Sequence, residues 1–347
     1  MDPIFVIGHP KSGTSLLNSL LDNHPNLLVL SEESDFYQGI WQQAKKLNQA
    51  WRKGQQQKIE ILFNYIIQIT HFRNYLRGKV ENDISGNLDY EHLNSEEFKT
   101  SLKNNLSHTF VNGKFERVKI IQVLLEEYRK LIPNAQSDYK YWVEKTPKHT
   151  WFIDDILLDW PKASFIFVYR DPRDNFVSYK KKIGDSLTVA KFCKTWNDAI
   201  QRYDSIPATT TKIMVCYEQL IKNKEKEIER IADFLDIKVE ESLFEPTKMG
   251  KVWKGNSMFN LSSAEMHDKS IGRYESALNL DEISAIEYFT SANLQRLGYV
   301  LKTKAELSGL KNYAQLKAEY DAYYPFNIGK PESLRAKLGL LKRRLIG

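Results

Sequence analysis

The sequence predicts a three-layer α/β fold, a central parallel sheet flanked by helices, with a helical cap inserted into it. Three observations carry this. Short apolar runs alternate with stretches of helical period along most of the 347 residues, the pattern of strands joined by crossover helices. One run, SFIFVYR from Ser164, is almost continuously apolar, as a strand buried on both faces must be. The three most polar and least periodic stretches, GHPKSGTS, KTPKH and RDPRD, each fall at the end of an expected strand, where open parallel sheets bind ligands.

Taken in order, IFVIG is a strand, and GTSLLNSLLDNH reads as a helix with Leu16, Leu17, Leu20 and Leu21 on one stripe. NLLVLSE is a second short strand. Residues 38–132 are mostly helical by period, with loop signals near GKVENDISGN, and form the expected cap. YWVEKTP is a strand stopped by Pro147, and HTWFIDDILLDWP is a helix closed by Pro161. After SFIFVYR, the segment DPRDNFVSYKKK opens a helix with Asp171 as N-cap and Pro172 in its first position. KIMVCYE is a strand, KEKEIERIADFLD a helix, residues 245–272 a long ordered loop, and DEISAIEYFTSANLQRLGY a late helix. The expected organisation is one domain over residues 1–325, followed by a basic amphipathic helix over 326–347.

The composition is that of a globular protein, 42% hydrophobic and 27% charged. No apolar run reaches the roughly 18–20 residues that a membrane span needs. PIFVIG leads straight into a strand with no basic region before it, so a cytoplasmic location is expected. Cys193 and Cys216 show neither metal-ligand nor disulfide spacing and read as reduced structural thiols. Of the net charge of +6, +5 lies in residues 330–347, so the nearly neutral body gives no reason to expect nucleic acid as a partner.

GHPKSGTS has the outline of a phosphate loop: a strand, a glycine-bounded turn, then a helix N-terminus that offers N–H groups and a positive dipole end to an anion. Gly13 permits close backbone approach, and Thr14 and Ser15 add hydroxyls. In an NTPase loop the lysine follows the second glycine. Here Thr14 follows it, and the lysine lies within the loop at Lys11. The strongest strand ends in Arg170, with no aspartate placed as a metal ligand. Both departures suit a nucleotide with a phosphate centre at each end of its ribose and no metal.

HPKSGTSLL resembles the phosphosulfate loop of sulfotransferases that use 3′-phosphoadenosine-5′-phosphosulfate (PAPS), and YRDPRDNFVS supplies that family's second hallmark, an arginine at a strand end and a serine eight residues on, Arg170 and Ser178. LLDNHPN, VCYEQL and LQRLGY extend the resemblance over residues 4 to about 300. It is nearest to the tyrosylprotein and heparan sulfate branch and its bacterial relatives. The resemblance implies that Lys11, Ser12, Gly13, Thr14 and Ser15 hold the 5′ end of the nucleotide. Arg170, Ser178 and Lys182 would hold its 3′-phosphate, where a guanidinium can bind two oxygens at once. It places Tyr217 near the adenosine. KVWKGNSMF and KSIGRY look like the loop that closes over the nucleotide, with Asn256, Ser257 and Arg273 as its contacts.

The same resemblance distributes the chemistry. Lys11 would put its ammonium on the bridging oxygen, where charge develops as the bond breaks. Lys145, in WVEKTPKHT, would meet the sulfonate from the other side. The base that takes the acceptor proton is sought in LSEESDFY, at Glu33 or its neighbour Glu32, with His149 a third candidate. The cap carries Trp41, Trp51, Phe63, Tyr65, Phe72 and Tyr75, which suit either core packing or an acceptor surface. A hydroxyl acceptor, a glycan or glycolipid, is expected, and SLRAKLGLLKRRLIG could rest on an anionic membrane. A metal-dependent kinase or NTPase and a silent PAP-binding protein are the alternatives.

Overall fold

The structure, a computed structural model, describes residues 1–69, 96–132, 135–136, 138–253, 255, 268–306 and 312–323. The chain opens with β1 (Asp2–Gly8), α1 (Thr14–Leu21) and β2 (Leu27–Val29). A single π turn at Phe36–Ile40 leads into α2 (Trp41–Gln49) and α3 (Gln55–Ile69). Then come α4 (Glu96–Ser107), a small hairpin of β3 (Phe110–Val111) and β4 (Lys114–Phe115), and α5 (Arg117–Arg129). β5 (Tyr141–Lys145) returns to the sheet. It is followed by a 3₁₀ turn (Pro147–Phe152), α6 (Ile153–Asp159), β6 (Ser164–Tyr169), α7 (Pro172–Ile183), α8 (Val189–Asp204) and β7 (Lys212–Cys216). The remaining elements are α9 (Tyr217–Lys222), α10 (Lys224–Leu235), a hairpin of β8 (Thr247–Lys248) and β9 (Lys251–Val252), α11 (Tyr274–Ala277), α12 (Leu280–Arg296) and α13 (Tyr313–Ala322).

Five strands form one parallel sheet in the order β2-β5-β1-β6-β7. Alternate residues of the central strands feed two apolar layers. Phe5, Ile7, Trp142, Phe165 and Phe167 face one, and Ile4, Val6, Val143, Ile166 and Val168 face the other. That explains why IFVIG and SFIFVY are apolar at every position. The first layer runs on without a break into the inserted helices through Ala44, Leu47, Leu62, Phe63, Leu102 and Leu124. Phe63 is core, whereas Trp51 is 81% exposed. Phe72, Tyr75 and the basic 326–347 segment lie outside the described residues.

Asp171 caps α7 as expected, its carboxylate accepting from Arg173 N at 2.9 Å, with Pro172 in the first turn. Three features differ from the sequence expectations. The helix expected over HTWFIDDILLDWP begins as a 3₁₀ turn, because the Thr150 hydroxyl is held between Gly8 N (3.0 Å) and Pro147 O (2.8 Å). The helix α8 was not among the expected elements, although Val189, Phe192, Cys193, Trp196, Ile200 and Tyr203 recur at helical spacing behind Thr188. It is N-capped by Thr188 and buries Phe192, Cys193, Trp196 and Ala199 on one face. The loop over 245–272 contains the β8–β9 hairpin.

Candidate active site

The three polar stretches singled out by sequence follow β5, β1 and β6, which are neighbours at the centre of the sheet. Their residues therefore meet at one rim, beyond the carboxyl ends of those strands.

The loop after β1 is shaped by close approach. A Cβ on Gly8 would lie 2.4 Å from Val168 O, and one on Gly13 would lie 2.3 Å from the Tyr217 ring. Lys11 (φ 68°) and Gly13 (φ 104°) are left-handed, with Ser12 between them, the alternation that turns backbone N–H groups into an anion cradle. The loop leans on two helices through His9, a residue sequence reasoning missed. Its Nδ1 lies 2.9 Å from Asn175 Oδ1 and its Nε2 3.0 Å from Thr195 Oγ. Burial holds its pKa down to about 4, so this ring is a neutral brace. Asn175 also donates to Pro10 O at 2.8 Å.

Arg170 joins this loop to the far end of the site. Its Nη1 donates to Ser178 Oγ at 3.1 Å and lies 3.4 Å from Lys11 O. Its Nη2 donates to Ser270 O at 2.6 Å. The guanidinium stands 4.7 Å over the Tyr217 ring, whose hydroxyl meets Ser270 Oγ at 2.8 Å. Asp171 does not neutralise it, because that carboxylate is bound by Arg173. Asp174 accepts from Gly272 N and Tyr274 N, and burial raises its pKa to about 6. Among the described residues, two polar atoms here are buried without a hydrogen-bond partner, Ser12 Oγ and Arg170 Nε. Unsatisfied donors at both ends of one rim fit a ligand that is anionic at both ends. Arg273 sits on the same side, its pKa lowered by burial and then by Arg170. Asn256 and Ser257 lie outside the described residues.

Lys11 faces a group of charges. Its pKa is held down to about 8 by burial and by Lys182 and Lys145, against a raising contribution from Glu33. Four predicted residues, Lys11, Lys145, Lys182 and Glu33, thus share one electrostatic neighbourhood. Lys145 Nζ lies 3.0 Å from Glu33 Oε1, with Lys145 buried and Glu33 half-buried. Glu32 turns away to Lys248 of β8, a partner that sequence reasoning did not find.

His149 is not brought to this group. It is fully buried, with Tyr37 N donating to its Nε2 at 3.3 Å and its Nδ1 2.7 Å from Glu144 Oε2. A ring that accepts at Nε2 carries its proton on Nδ1, so His149 donates to Glu144. Glu144 also accepts from Ser34 Oγ at 2.7 Å and from the Thr146 hydroxyl. This cluster fixes the turn that carries Glu33. Among the described residues, no group of His, Cys, Asp and Glu has a metal-binding arrangement.

Residues 3–241 match the model of a family described as the sulfotransferase family. No curated protein matches the chain. Among solved structures, the sulfotransferase domain from the curacin biosynthetic pathway is 16% identical, with a TM-score of 0.53 over 86% of this chain and 98% of that one. The sulfotransferase domain of the Synechococcus PCC 7002 olefin synthase is 16% identical, with a TM-score of 0.48 over 93% and 96%. A mouse sulfotransferase complexed with PAP is 12% identical, with a TM-score of 0.40 over 91% and 88%.

Proposed function

This chain belongs to the sulfotransferase family, and on that premise we propose that it transfers a sulfuryl group from PAPS to a hydroxyl acceptor. One observation carries the choice of donor. The β1–α1 loop and the Arg170–Ser178 pair lie against each other, with Ser12 Oγ and Arg170 Nε both buried and without a hydrogen-bond partner among the described residues. That adjacency supports one adenosine nucleotide as the ligand, its 5′ end in the loop and its 3′-phosphate on Arg170 and Ser178, with Lys182 close to Lys11. Tyr217, wedged between Gly13 and Arg170, forms the floor between the two ends.

When bound, PAPS supplies an SO₃ group whose bond to the bridging oxygen breaks, leaving the electron pair on the 5′-phosphate as the acceptor oxygen bonds to sulfur. Lys11 holds a positive charge where that pair is left. Glu33 takes the acceptor proton, and Lys145, 3.0 Å away, orients its carboxylate and adds charge on the sulfonate side. Glu33 acts on Lys11 and pairs with Lys145 of the same group, whereas Glu32 pairs with Lys248 of β8, so Glu33 is the better-placed base. The acceptor in this reading is a hydroxyl compound, a glycan or glycolipid being the class to offer first.

The test is thermal unfolding with added nucleotide and chelator. PAP at about a hundredfold over its Kd should stabilise the fold by about 2.7 kcal/mol without metal, and Arg170→Gln should abolish most of that. Stabilisation by ATP with Mg²⁺ but not by PAP would point to a kinase or NTPase instead.

A further inference from the structure

Residues 270–274 run past the Arg170 side of the site and are held there by Asp174, in the first turn of α7. This carboxylate is buried, and its two oxygens accept from two backbone amides, Oδ2 from Gly272 N at 2.7 Å and Oδ1 from Tyr274 N at 2.9 Å. The residue between those amides is Arg273. We propose that Asp174 is a positioning residue: by clamping the backbone on either side of Arg273 it sets that guanidinium near Arg170, so that the two together receive the 3′-phosphate of the nucleotide. The proposal rests on the reading of the donor as PAPS, which supplies that phosphate.

Three features support that role. The first is that Arg170 is already much engaged: its Nη1 donates to Ser178 Oγ and approaches Lys11 O, and its Nη2 donates to Ser270 O. A terminal phosphate carries about 1.5–2 negative charges near pH 7, more than one such guanidinium offsets. The second is that the backbone around Arg273 is fixed from both directions. Ser270 is tied to Arg170 and to the Tyr217 hydroxyl, and Tyr274 packs with Val177 and Ile283. Between them Gly272 takes a left-handed φ of 72°, open to glycine, and the reversal brings both amides to one carboxylate. The third is charge. A buried carboxylate that accepts from neutral amides is costly unless positive charge stands nearby. Burial works against the charge on Asp174, and Arg170 supports it. Burial and then Arg170 work against the charge on Arg273, and Asp174 supports it. The carboxylate thus offsets the repulsion between two guanidiniums that share one small region.

Calorimetric titration of PAP and 5′-AMP into wild type, Asp174→Asn, Arg273→Gln and the double variant tests this, with Tm recorded for each. Asn at this position keeps an acceptor for one amide and turns an NH₂ towards the other. Asp174→Asn should weaken PAP about five- to tenfold, the worth of one hydrogen bond to a charged group, and leave 5′-AMP nearly unchanged. Arg273→Gln, a change outside the apolar core, should cost the same margin. The double variant should lose no more of it than Arg273→Gln alone, while its Tm still falls with the loss of the clamp. Equal weakening of both nucleotides by Asp174→Asn would make the carboxylate a structural anchor only and overturn the proposal. A PAP margin untouched by Arg273→Gln would also overturn it, and that result is readable even if Asp174→Asn does not fold. Both outcomes leave the nucleotide reading intact. A wild type that binds PAP no better than 5′-AMP would remove the nucleotide reading, and the role of Asp174 with it.

Discussion

Glu33 and Lys145 form a cation–carboxylate contact of 3.0 Å in the candidate site, and the carboxylate makes the first prediction. Glu33→Gln should lower kcat by about 10²–10⁴-fold, the usual worth of a general base, while PAP binding by calorimetry stays near wild type. Near-normal turnover in that variant would remove Glu33 from the chemistry. Lys11 makes a prediction about pH. Its ordinary pKa is 10.5, and in the fold it is held to about 8, so the ammonium is present below pH 8 and lost above it. The kcat/KM profile of the free enzyme should therefore fall on an alkaline limb near pH 8, and Lys11→Arg should move that limb upward. His149→Ala should act on stability instead. It leaves Glu144 short of a buried donor, at a cost of about 2–3 kcal/mol, read as a lower Tm. At this scale, the residues the sequence revealed are those whose signal is local: a lysine displaced inside a loop, and an arginine and serine eight positions apart. His9 and Lys248 were not legible, because their partners lie 166 and 216 residues away and only the folded sheet brings them together.

The β1–α1 loop is the element on which the proposed nucleotide binding depends, and its tolerance is narrow. Gly13→Ala would place a methyl 2.3 Å from the Tyr217 ring at a φ of 104°, so it should cost stability and displace the ring that floors the site. The expected readout is a lower Tm together with weakened PAP binding, and Gly13→Ala with Tyr217→Ala should recover part of the Tm only. Helix α7 supplies Ser178 and is fixed at its start by Asp171, which serves both the cap and the buried Arg173 guanidinium. Asp171→Ala should cost more than the roughly 1 kcal/mol of an ordinary cap, since among the described residues Arg173 then keeps hydrogen bonds to Glu287 and Val300 O alone. Chemical denaturation would measure that excess. Both features were readable from DPRD and SGTS, because capping and glycine-dependent turns are short-range chemistry. The 3₁₀ start after Pro147 was not, since it is set by a bond between Thr150 and β1 across 142 residues.

The whole molecule places its chemistry by strand order. β5, β1 and β6 stand side by side, so Lys145, Lys11 and Arg170, which are spread over about half the chain, meet at one rim. Runs apolar at every position announced a sheet covered on both faces, and the polar segments at their ends announced the site. The order of the strands was not legible, whereas α8 was, through the helical spacing of Phe192, Cys193, Trp196, Ala199, Ile200 and Tyr203, and was passed over. The central claim is that a single nucleotide spans the loop and Arg170. Calorimetric titration of PAP and 5′-AMP into wild type and Arg170→Gln tests it most directly. PAP should bind wild type about 10–100-fold more tightly than 5′-AMP, and Arg170→Gln should erase that margin while leaving 5′-AMP affinity nearly unchanged. A margin that survives the substitution would place the 3′-phosphate elsewhere and contradict the account.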